Sequence, residues 1–490
     1  MCKILKNRKM RLRLRKYSKT IPGCFVIVFL LYLFYVNNLS NVSEYKPKNR
    51  IKNLTLSRQD TNRKEHLDKL LEHRKFGIWK LNKTISHSAS GCGQVLFAVL
   101  LARKESWSKV DKNRSAFVFS AYLVNRQKIV VIGIKAMNIK PYYCQIWYQN
   151  QTQQKMEMKI KQAEIITVPE GHGLRYTPVL FQCLLSKSTG HEFPTHVSMV
   201  QEKCRKPEHL LELHIVNTEY DQHRDTHRMF TVCLTPLNFR YNRDYEIIEW
   251  IELNRILGAE QFIVYNYSSG SDVQNVLEYY SKQGIIKVVP WNLPVKVDTL
   301  PRSNNKPELH YFGQVAALHD CLYRNKGISE FIVNLDLDEF IIPHDNKTKS
   351  WSDIIQQVKQ NFNAYLFRNT FFKKEWDNSD IDIQNKSLVD KLQLVTLQKL
   401  QHEKKLFAPR SRSKYIAKTA NVSHLMIHEV PDVNTKVVPP ELAFLHHYRD
   451  WGTKNDSPRS RVLDNTVPNK FGNTLVKNVL KVRSDIEKMP

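Results

Sequence analysis

The chain has 490 residues, of which 42% are hydrophobic and 25% are charged. These proportions are ordinary for folded proteins and exclude disorder as the overall state, and the length allows two or three domains. The formal net charge of +28 comes from 75 Lys and Arg against 47 Asp and Glu. Such an excess favours anionic partners. The basic and aromatic residues are not concentrated in one module, however, which argues against a nucleic-acid-binding protein.

The amino terminus has the pattern of a membrane signal anchor. Residues 1–20 contain nine basic side chains and no acidic one, and an uncharged apolar stretch follows them. The positive-inside rule therefore predicts a cytosolic basic tail over 1–20, a transmembrane signal anchor over 21–37 and a lumenal remainder. The alternative is a cleaved signal peptide, but no small-residue cleavage pattern follows the stretch. The short span suits the thinner membranes of the early secretory pathway.

Glycosylation triplets and cysteines both agree with a lumenal location. Six cysteines lie beyond the apolar stretch, an even number that an oxidising compartment could pair completely, although 15 connectivities are open. Each Asn-x-Ser/Thr triplet is weak evidence by itself, and their density is what counts. The triplets begin at Asn38, Asn41, Asn53, Asn82, Asn113, Asn150, Asn266, Asn346, Asn385 and Asn421.

The next two segments differ in composition. Residues 38–85 are polar and charged, which is typical of a stem that holds a folded part away from a membrane. Short apolar runs rich in β-branched and aromatic residues then alternate with turns, and they predict a β-rich accessory domain over 86–225. These runs are 115–124, 129–134, 142–148, 165–168, 177–185 and 209–216.

Strands and helices alternate in the following segment, 226–465. This alternation predicts an α/β fold with a mostly parallel sheet and flanking helices, whose ligand site lies beyond the carboxyl ends of the strands. Residues 466–490 are assigned to a C-terminal tail. The predicted strands are 230–237, 261–265, 285–290 and 331–335, and the predicted helices are 245–258, 272–283 and 314–324.

An acidic motif follows the last of these strands. Because residues i and i+2 of an extended chain point the same way, Asp336 and Asp338 present two carboxylates to one side. Such a pair suits a hard divalent ion that also grips a diphosphate and neutralises the charge of a leaving nucleotide. A solvated acidic turn is the alternative for the motif alone.

An ordered series of motifs over about 229–455 resembles glycosyltransferase family 92. The resemblance implies a nucleotide-sugar transferase of the GT-A type, with manganese-dependent galactosyl transfer from UDP-galactose. It implies that Asp336 and Asp338 hold the metal and nucleotide and that His447 is a further metal ligand, with His446 as a neighbouring candidate. The motifs are 233–237, 249–258, 262–266, 313–314 with 320–322, 336–340 and 447–449.

The same resemblance suggests residues for the donor. Tyr265 and Asn266 would end a strand beside the nucleotide, and a glycan on Asn266 would obstruct it, so we expect that triplet to be unoccupied. Gln314 either faces the donor or caps its helix. Arg449 could pair with phosphate oxygens, the alternative being a packed aromatic-basic turn at 446–449.

Inverting transfer requires a carboxylate that deprotonates the acceptor hydroxyl. Glu429 and Glu375 are the candidates, each with a surface glutamate as its alternative, and His428 with Glu429 forms a second candidate pair.

The leading hypothesis is a UDP-sugar-dependent hexosyltransferase of the Golgi membrane. It would be a single-pass type II protein that uses Mn²⁺, acts on a glycan of a glycoprotein or glycolipid, and binds no nucleic acid. A membrane-anchored glycoprotein receptor and a catalytically silent scaffold are the alternatives. A receptor leaves the placement of Asp336 and Asp338 without a purpose, and their retention argues against a silent scaffold.

Overall fold

The computed structural model describes the carboxy-terminal compact unit, Leu81–Pro490, in large part. The predicted tail, signal anchor and stem lie outside the described residues. Within the described part of the chain, no helix is both long and apolar enough to cross a bilayer, so the anchor stays a prediction. The described residues are 92, 105–124, 127–137, 141–150, 155–186, 194–216, 228–297, 306–358, 361–377, 386–450 and 461–489.

The amino-terminal part of this unit forms one sheet of nine described strands in the order β5-β4-β8-β9-β2-β3-β7-β6, with β1 paired to β2. All its pairings are antiparallel except β2 with β9. The strands are β1 (Ser108–Lys109), β2 (Ala116–Val124), β3 (Lys128–Ala136), β4 (Tyr143–Asn150), β5 (Lys155–Gln162), β6 (Glu164–Thr167), β7 (Tyr176–Leu184), β8 (Pro194–Val200) and β9 (Leu211–Val216).

Every predicted apolar run of this region overlaps a strand, while β1, β5 and β8 were not predicted. The sequence of β5 places lysines and glutamate between its apolar residues, a composition typical of an edge strand, and β5 does lie at the edge. The status of 86–225 as a separate domain stays a prediction.

The strands and helices predicted over 226–465 are all present within one or two residues, which confirms the α/β fold. The elements are β10 (Arg228–Leu237), α1 (Asp244–Ile256), β11 (Gln261–Asn266), α2 (Ser271–Lys282), β12 (Ile286–Pro290), α3 (Gln314–Asn325), β13 (Ser329–Leu335), β14 (Glu339–Pro343), α4 (Trp351–Gln357), β15 (Ala364–Phe367), β16 (Asn369–Lys373), α5 (Lys386–Leu392), α6 (Val395–Gln398), β17 (Gln401–Glu403), β18 (Lys414–Lys418), β19 (Thr435–Val437), β20 (Ala443–Arg449), β21 (Arg461–Leu463) and α7 (Thr466–Glu487).

The central sheet is mixed rather than mostly parallel. Its described strands have the order β12-β11-β10-β13-β18-β15-β19, and the first four are parallel. Strand β18 is antiparallel to both β13 and β15. Antiparallel pairing needs no crossover helix, so the strand–helix periodicity of the sequence reveals only the parallel half.

A further sheet, β14-β20-β16-β17-β21, lies next in the chain after the acidic motif. In it, Glu339 of β14 pairs with His447 of β20, and Phe371 of β16 pairs with the same residue. Strand β20 therefore delivers the predicted metal ligand to the end of β13, where Asp336 and Asp338 lie.

Residues 466–490 do not form a tail, contrary to prediction. They form helix α7, whose buried face joins the same apolar core as Trp250 of α1. The apolar spacing that predicts this helix was present in the sequence. The buried apolar residues of α7 are Val467, Phe471, Leu475, Val479 and Val482.

The first sheet and the central sheet share one buried cluster of aromatic residues. The ring of Phe119 from β2 lies 4.7 Å from that of Trp291, which in turn lies 4.9 Å from that of Tyr265 in β11. Aromatic side chains bury large apolar areas, so this contact joins the two sheets through the hydrophobic effect.

One buried carboxylate, that of Asp320 in α3, links the same elements by hydrogen bonds. It accepts from Ser120 Oγ at 2.6 Å, from Tyr122 Oη at 2.5 Å and from Tyr265 Oη at 2.6 Å. Arg324 donates to it from Nε at 3.0 Å and from Nη2 at 2.8 Å. Burial alone would raise the pKa of Asp320, but Arg324 and the three hydroxyls hold it below its ordinary value, so the group is ionised at neutral pH.

Three disulfides pair the six cysteines beyond the apolar stretch: Cys92–Cys204, Cys144–Cys183 and Cys233–Cys321. The third joins β10 to α3, one residue after Asp320. Covalent and ionic links thus hold α3 between the two sheets.

We predict that Asp320→Asn lowers the free energy of unfolding by about 3 kcal/mol, because the buried Arg324 would lose one of its two counter-charges and keep only Glu105. Urea unfolding of the purified chain measures the change.

Asp377→Asn is the matched control, since Asp377 is exposed, and we expect it to change stability by less than about 0.5 kcal/mol. Equal effects of the two substitutions would show that the Asp320 network contributes nothing particular to stability.

Candidate functional site

Asp336 lies at the carboxyl end of β13, where the central sheet predicts a ligand site. Its Oδ1 contacts Thr235 Oγ1 and lies 3.3 Å from Gln314 Nε2, while Trp250 Nε1 donates to its carbonyl at 2.9 Å. Gln314 Nε2 also donates to Thr235 Oγ1 at 2.7 Å. Residues from β10, α1 and α3 therefore hold the first aspartate of the motif in one orientation.

A buried lysine neutralises part of the acidic charge. Lys414 Nζ lies 2.9 Å from Asp336 Oδ2 and 3.2 Å from Glu339 Oε2, and its side chain is 0% exposed. Burial alone would lower the pKa of Lys414, but the two carboxylates raise it above its ordinary value, so the group is a cation at neutral pH. Burial raises the pKa of Glu339 against the opposing charge of Lys414.

The second aspartate of the motif meets the histidine of β20. His447 Nε2 lies 3.2 Å from Asp338 Oδ2, and His447 Nδ1 lies 3.3 Å from Glu339 Oε1. The Asp338 side chain is 35% exposed, whereas that of His447 is 8% exposed. Strand pairing brings together a carboxylate and an imidazole that are more than one hundred residues apart in the chain.

These contacts fit a divalent metal. With its Nδ1–H donated to Glu339, His447 presents the Nε2 lone pair towards Asp338, the carboxylate–histidine arrangement that is common at metal sites. Asn369 Oδ1 is buried without a hydrogen-bond partner among the described residues, while Asn369 Nδ2 lies 3.0 Å from His447 Nδ1.

The predicted donor-binding residues occupy different positions. Gln314 reaches Asp336 directly, as described above. Asn266 ends β11 at the same edge of the sheet, where its Nδ2 donates to Ser269 Oγ at 2.9 Å and its Oδ1 lacks a partner in the described chain. The Tyr265 side chain is 0% exposed and belongs to the Asp320 network, so the structure gives it a structural role and its donor contact stays a prediction.

Arg449 is exposed at the end of β20 and borders the acidic motif. Partial burial and the charges of Asp336 and Asp338 raise the pKa of the Tyr311 phenol, and the charge of Arg449 opposes that rise. Tyr311 precedes α3 in a left-handed turn with φ of 39°, a strained backbone of the kind that occurs at functional sites. Tyr311 was not predicted as a site residue.

The two predicted bases lie in different segments, one before β19 and one after β16. Glu429 is half-buried and pairs with Arg410, Oε2 to Nε at 3.2 Å, and its neighbour His428 contacts the carbonyl of Ser413 at 3.1 Å. Glu375 is exposed in the turn after β16. Neither has a described hydrogen bond to Asp336 or Asp338, so each stays a prediction.

The sequence pattern of glycosyltransferase family 92 matches residues 228–490, more than half of the chain. The chain belongs to glycosyltransferase family 92. The match begins at β10 and includes helix α7, which agrees with the packing of that helix against α1.

Two relatives from Caenorhabditis elegans are similar to this family 92 chain. Beta-1,4-galactosyltransferase galt-1 is 25% identical over 262 residues, which cover 48% of this chain and 52% of the relative. Glycosyltransferase family 92 protein F13G3.3 is 26% identical over 226 residues, covering 44% and 41%. The chain thus spans about half the length of these relatives.

Solved structures with partial similarity include two bacterial proteins. A glucosyl-3-phosphoglycerate synthase from Mycobacterium tuberculosis, in complex with Mn²⁺, UDP and glucosyl-3-phosphoglycerate, is 18% identical, with a TM-score of 0.19 over 39% of this chain and 57% of that one. TarS from S. aureus is 15% identical, with a TM-score of 0.20 over 39% and 47%.

Several site residues of this family 92 chain were missed by sequence reasoning. Glu339 belongs to the acidic motif, but its burial depends on the pairing of β14 with β20. Lys414 heads the apolar strand β18, and a lysine there gives no signal without knowledge of the carboxylates it faces. Asn369 and Thr235 are short polar residues within apolar runs, a pattern that equally fits buried structural groups.

We predict that Lys414→Gln lowers the free energy of unfolding by about 3–5 kcal/mol, because Asp336 and Glu339 would face each other without a cation. The exposed Lys282, which pairs with Glu278 at 2.7 Å, provides the control Lys282→Gln, with an expected change below about 1 kcal/mol.

Adding Glu339→Gln to Lys414→Gln should recover part of the loss, since one of the two uncompensated carboxylates is then neutral. Urea unfolding of Lys414→Gln, Glu339→Gln, the double variant and the Lys282→Gln control tests the assignment, and purely additive effects of Lys414→Gln and Glu339→Gln would contradict it.

Proposed function

We propose that this family 92 chain is a hexosyltransferase that moves galactose from UDP-galactose to a glycan on a glycoprotein or glycolipid. Family membership supports glycosyl transfer, and the name of the relative galt-1 supports galactose. The observation that carries the proposal is the 3.2 Å contact of Asp338 Oδ2 with His447 Nε2 at the carboxyl edge of the parallel strands.

The basic tail, the apolar stretch and the glycosylation triplets support a location in the Golgi membrane. In this proposal the chain is a single-pass type II protein whose catalytic part lies in the lumen.

Asp338 and His447 would hold a divalent ion, and Mn²⁺ suits their oxygen and nitrogen donors. When bound, the ion supplies positive charge to the leaving nucleotide diphosphate. Both carboxylate oxygens of Asp336 already have protein partners, Lys414 and Thr235. Asp336 would therefore have to give up one of these two contacts in order to bind the ion.

The positions of three further residues indicate how they would act at the nucleotide-sugar site. Arg449 is exposed beside the motif and can pair bidentately with phosphate oxygens. The unpartnered Oδ1 of Asn266 is buried in the described structure, so it would accept a hydrogen bond from a nucleotide hydroxyl or amide after a side-chain rotation. Gln314 keeps Asp336 in place through its amide group.

We predict that Asp338→Asn lowers kcat for UDP-galactose by at least about 100-fold, because the carboxylate that holds the ion is lost. The measurement is release of UDP by the full-length chain over a panel of UDP-sugars, with glycan acceptors present, with and without Mn²⁺. Asp377→Asn, at an exposed residue with no described hydrogen bond or ion pair to Asp336 or Asp338, should retain wild-type turnover.

Turnover of a different UDP-sugar would keep the transferase and replace galactose. A folded wild-type chain that neither turns over nor binds any UDP-sugar would favour a receptor or a catalytically silent scaffold.

A second prediction concerns the base. Glu429→Gln and Glu375→Gln are matched substitutions, and we expect Glu429→Gln alone to lower kcat, by about 100-fold, because the segment of His428 and Glu429 packs beside Lys414. A loss confined to Glu375→Gln would assign the base to Glu375, and wild-type rates in both would exclude both.

A further inference from the structure

A second cluster of potential metal ligands lies behind the proposed catalytic site. Successive residues of a strand point to opposite faces, so His446 of β20 faces away from its neighbour His447. There it meets His344, which follows β14, and Asp464, which lies between β21 and α7. The His446 side chain is 0% exposed and that of Asp464 is 6% exposed.

Three donor atoms converge in this cluster. His344 Nε2 and His446 Nε2 are 2.9 Å apart. Asp464 Oδ2 lies 3.4 Å from His446 Nε2 and 3.7 Å from His344 Nε2. Among the described residues this is the one group of three or more such side chains whose donor atoms lie within 4.8 Å of one another.

We propose that His344, His446 and Asp464 bind a structural zinc ion that fastens helix α7 to the five-stranded sheet. This site is separate from the Asp338 and His447 pair, and the proposal does not depend on sugar transfer.

The spacing of the donor atoms agrees with tetrahedral zinc. Zinc–nitrogen and zinc–oxygen bonds of about 2.0–2.1 Å at tetrahedral angles put the donor atoms about 3.3–3.4 Å apart. The three observed separations bracket this value, so small side-chain rotations would seat the ion. Two imidazoles and a carboxylate are ligands that zinc commonly takes, and a water molecule can complete the tetrahedron.

A hydrogen bond between the two histidines does not account for the carboxylate. Asp464 Oδ1 accepts from Thr466 N at 2.9 Å, but Asp464 Oδ2 is buried without a hydrogen-bond partner in the described part of the chain. A buried carboxylate oxygen without a donor destabilises the folded state. A cation between Oδ2 and the two Nε2 atoms removes that cost.

Two neighbouring hydroxyl groups orient the imidazole rings of His344 and His446 as a metal site requires. His344 Nδ1 lies 3.3 Å from Thr466 Oγ1, and His446 Nδ1 lies 3.4 Å from Tyr448 Oη. If both Nδ1 atoms carry the proton, both Nε2 lone pairs point to the centre of the cluster. Phe444 stacks on His344 with ring centroids 3.8 Å apart, and Phe372 stacks on His446 at 4.3 Å, so the site is largely apolar.

The position of the ligands defines what the ion would do. Asp464 and Thr466 stand at the start of α7, while His446 is part of the strand that carries His447. Zinc would therefore join the last helix to the strand behind the catalytic site, as a positioning element that touches no substrate.

The test measures zinc in the purified full-length chain by mass spectrometry, and zinc affinity by calorimetry after chelation. We expect one zinc ion per chain in the wild type and in Asp338→Asn, and at least about 100-fold weaker zinc binding in Asp464→Asn. Zinc should also raise the Tm of the chelated wild type but not that of Asp464→Asn.

Cobalt substitution tests the site without altering its ligands. In the Asp338→Asn chain, Co²⁺ should give the visible absorption bands of a tetrahedral site. Absence of zinc from the folded wild type, zinc that is lost only in Asp338→Asn, equal affinity in Asp464→Asn, or a featureless cobalt spectrum would each overturn the proposal.

Discussion

The ionised carboxylate of Asp320 holds the described structure together. A charge in the protein interior is tolerated only when it is paired and its oxygens are fully hydrogen-bonded. Its four partners come from β2, β11 and α3, so this requirement brings the first sheet, the central sheet and a helix to one point. The same helix begins with Gln314, which contacts Asp336. Helix α3 therefore links the buried charge of Asp320 to the side-chain orientation of Asp336 in the acidic motif.

Charge balance also organises the edge of the central sheet. Three carboxylates meet there, and the protein itself provides the cation of Lys414 and the imidazole of His447 as their partners. Lys414 is completely buried and pairs with the first aspartate, whereas the second aspartate pairs with His447 and has a side chain that is 35% exposed. The first aspartate thus has its counter-charge within the protein, whereas Asp338 and His447 remain available to bind a metal ion and a nucleotide. Strand β20 connects this edge to the histidine cluster on its other face.

Sequence periodicity predicted much of the catalytic half. The strands from β10 to β13 and the helices from α1 to α3 were found within one or two residues, because a buried strand and an amphipathic helix each leave a local pattern. Strands β18, β15 and β19 of the central sheet were not predicted, because they follow loops of no fixed length. Helix α7 was taken for a tail although its apolar spacing was visible. The prediction that Asp338 and His447 lie together came from family resemblance rather than from spacing.

The sequence by itself determined the family, the α/β alternation and the acidic motif, because these properties lie in short, contiguous segments. Tertiary structure alone decided that Tyr265 supports Asp320, that Lys414 neutralises Asp336, and that His446 and His447 serve different faces of one strand. Those roles depend on burial and on contacts between residues distant in the chain. Such contacts are set by strand pairing and by the need to compensate buried charge, neither of which leaves a local signal.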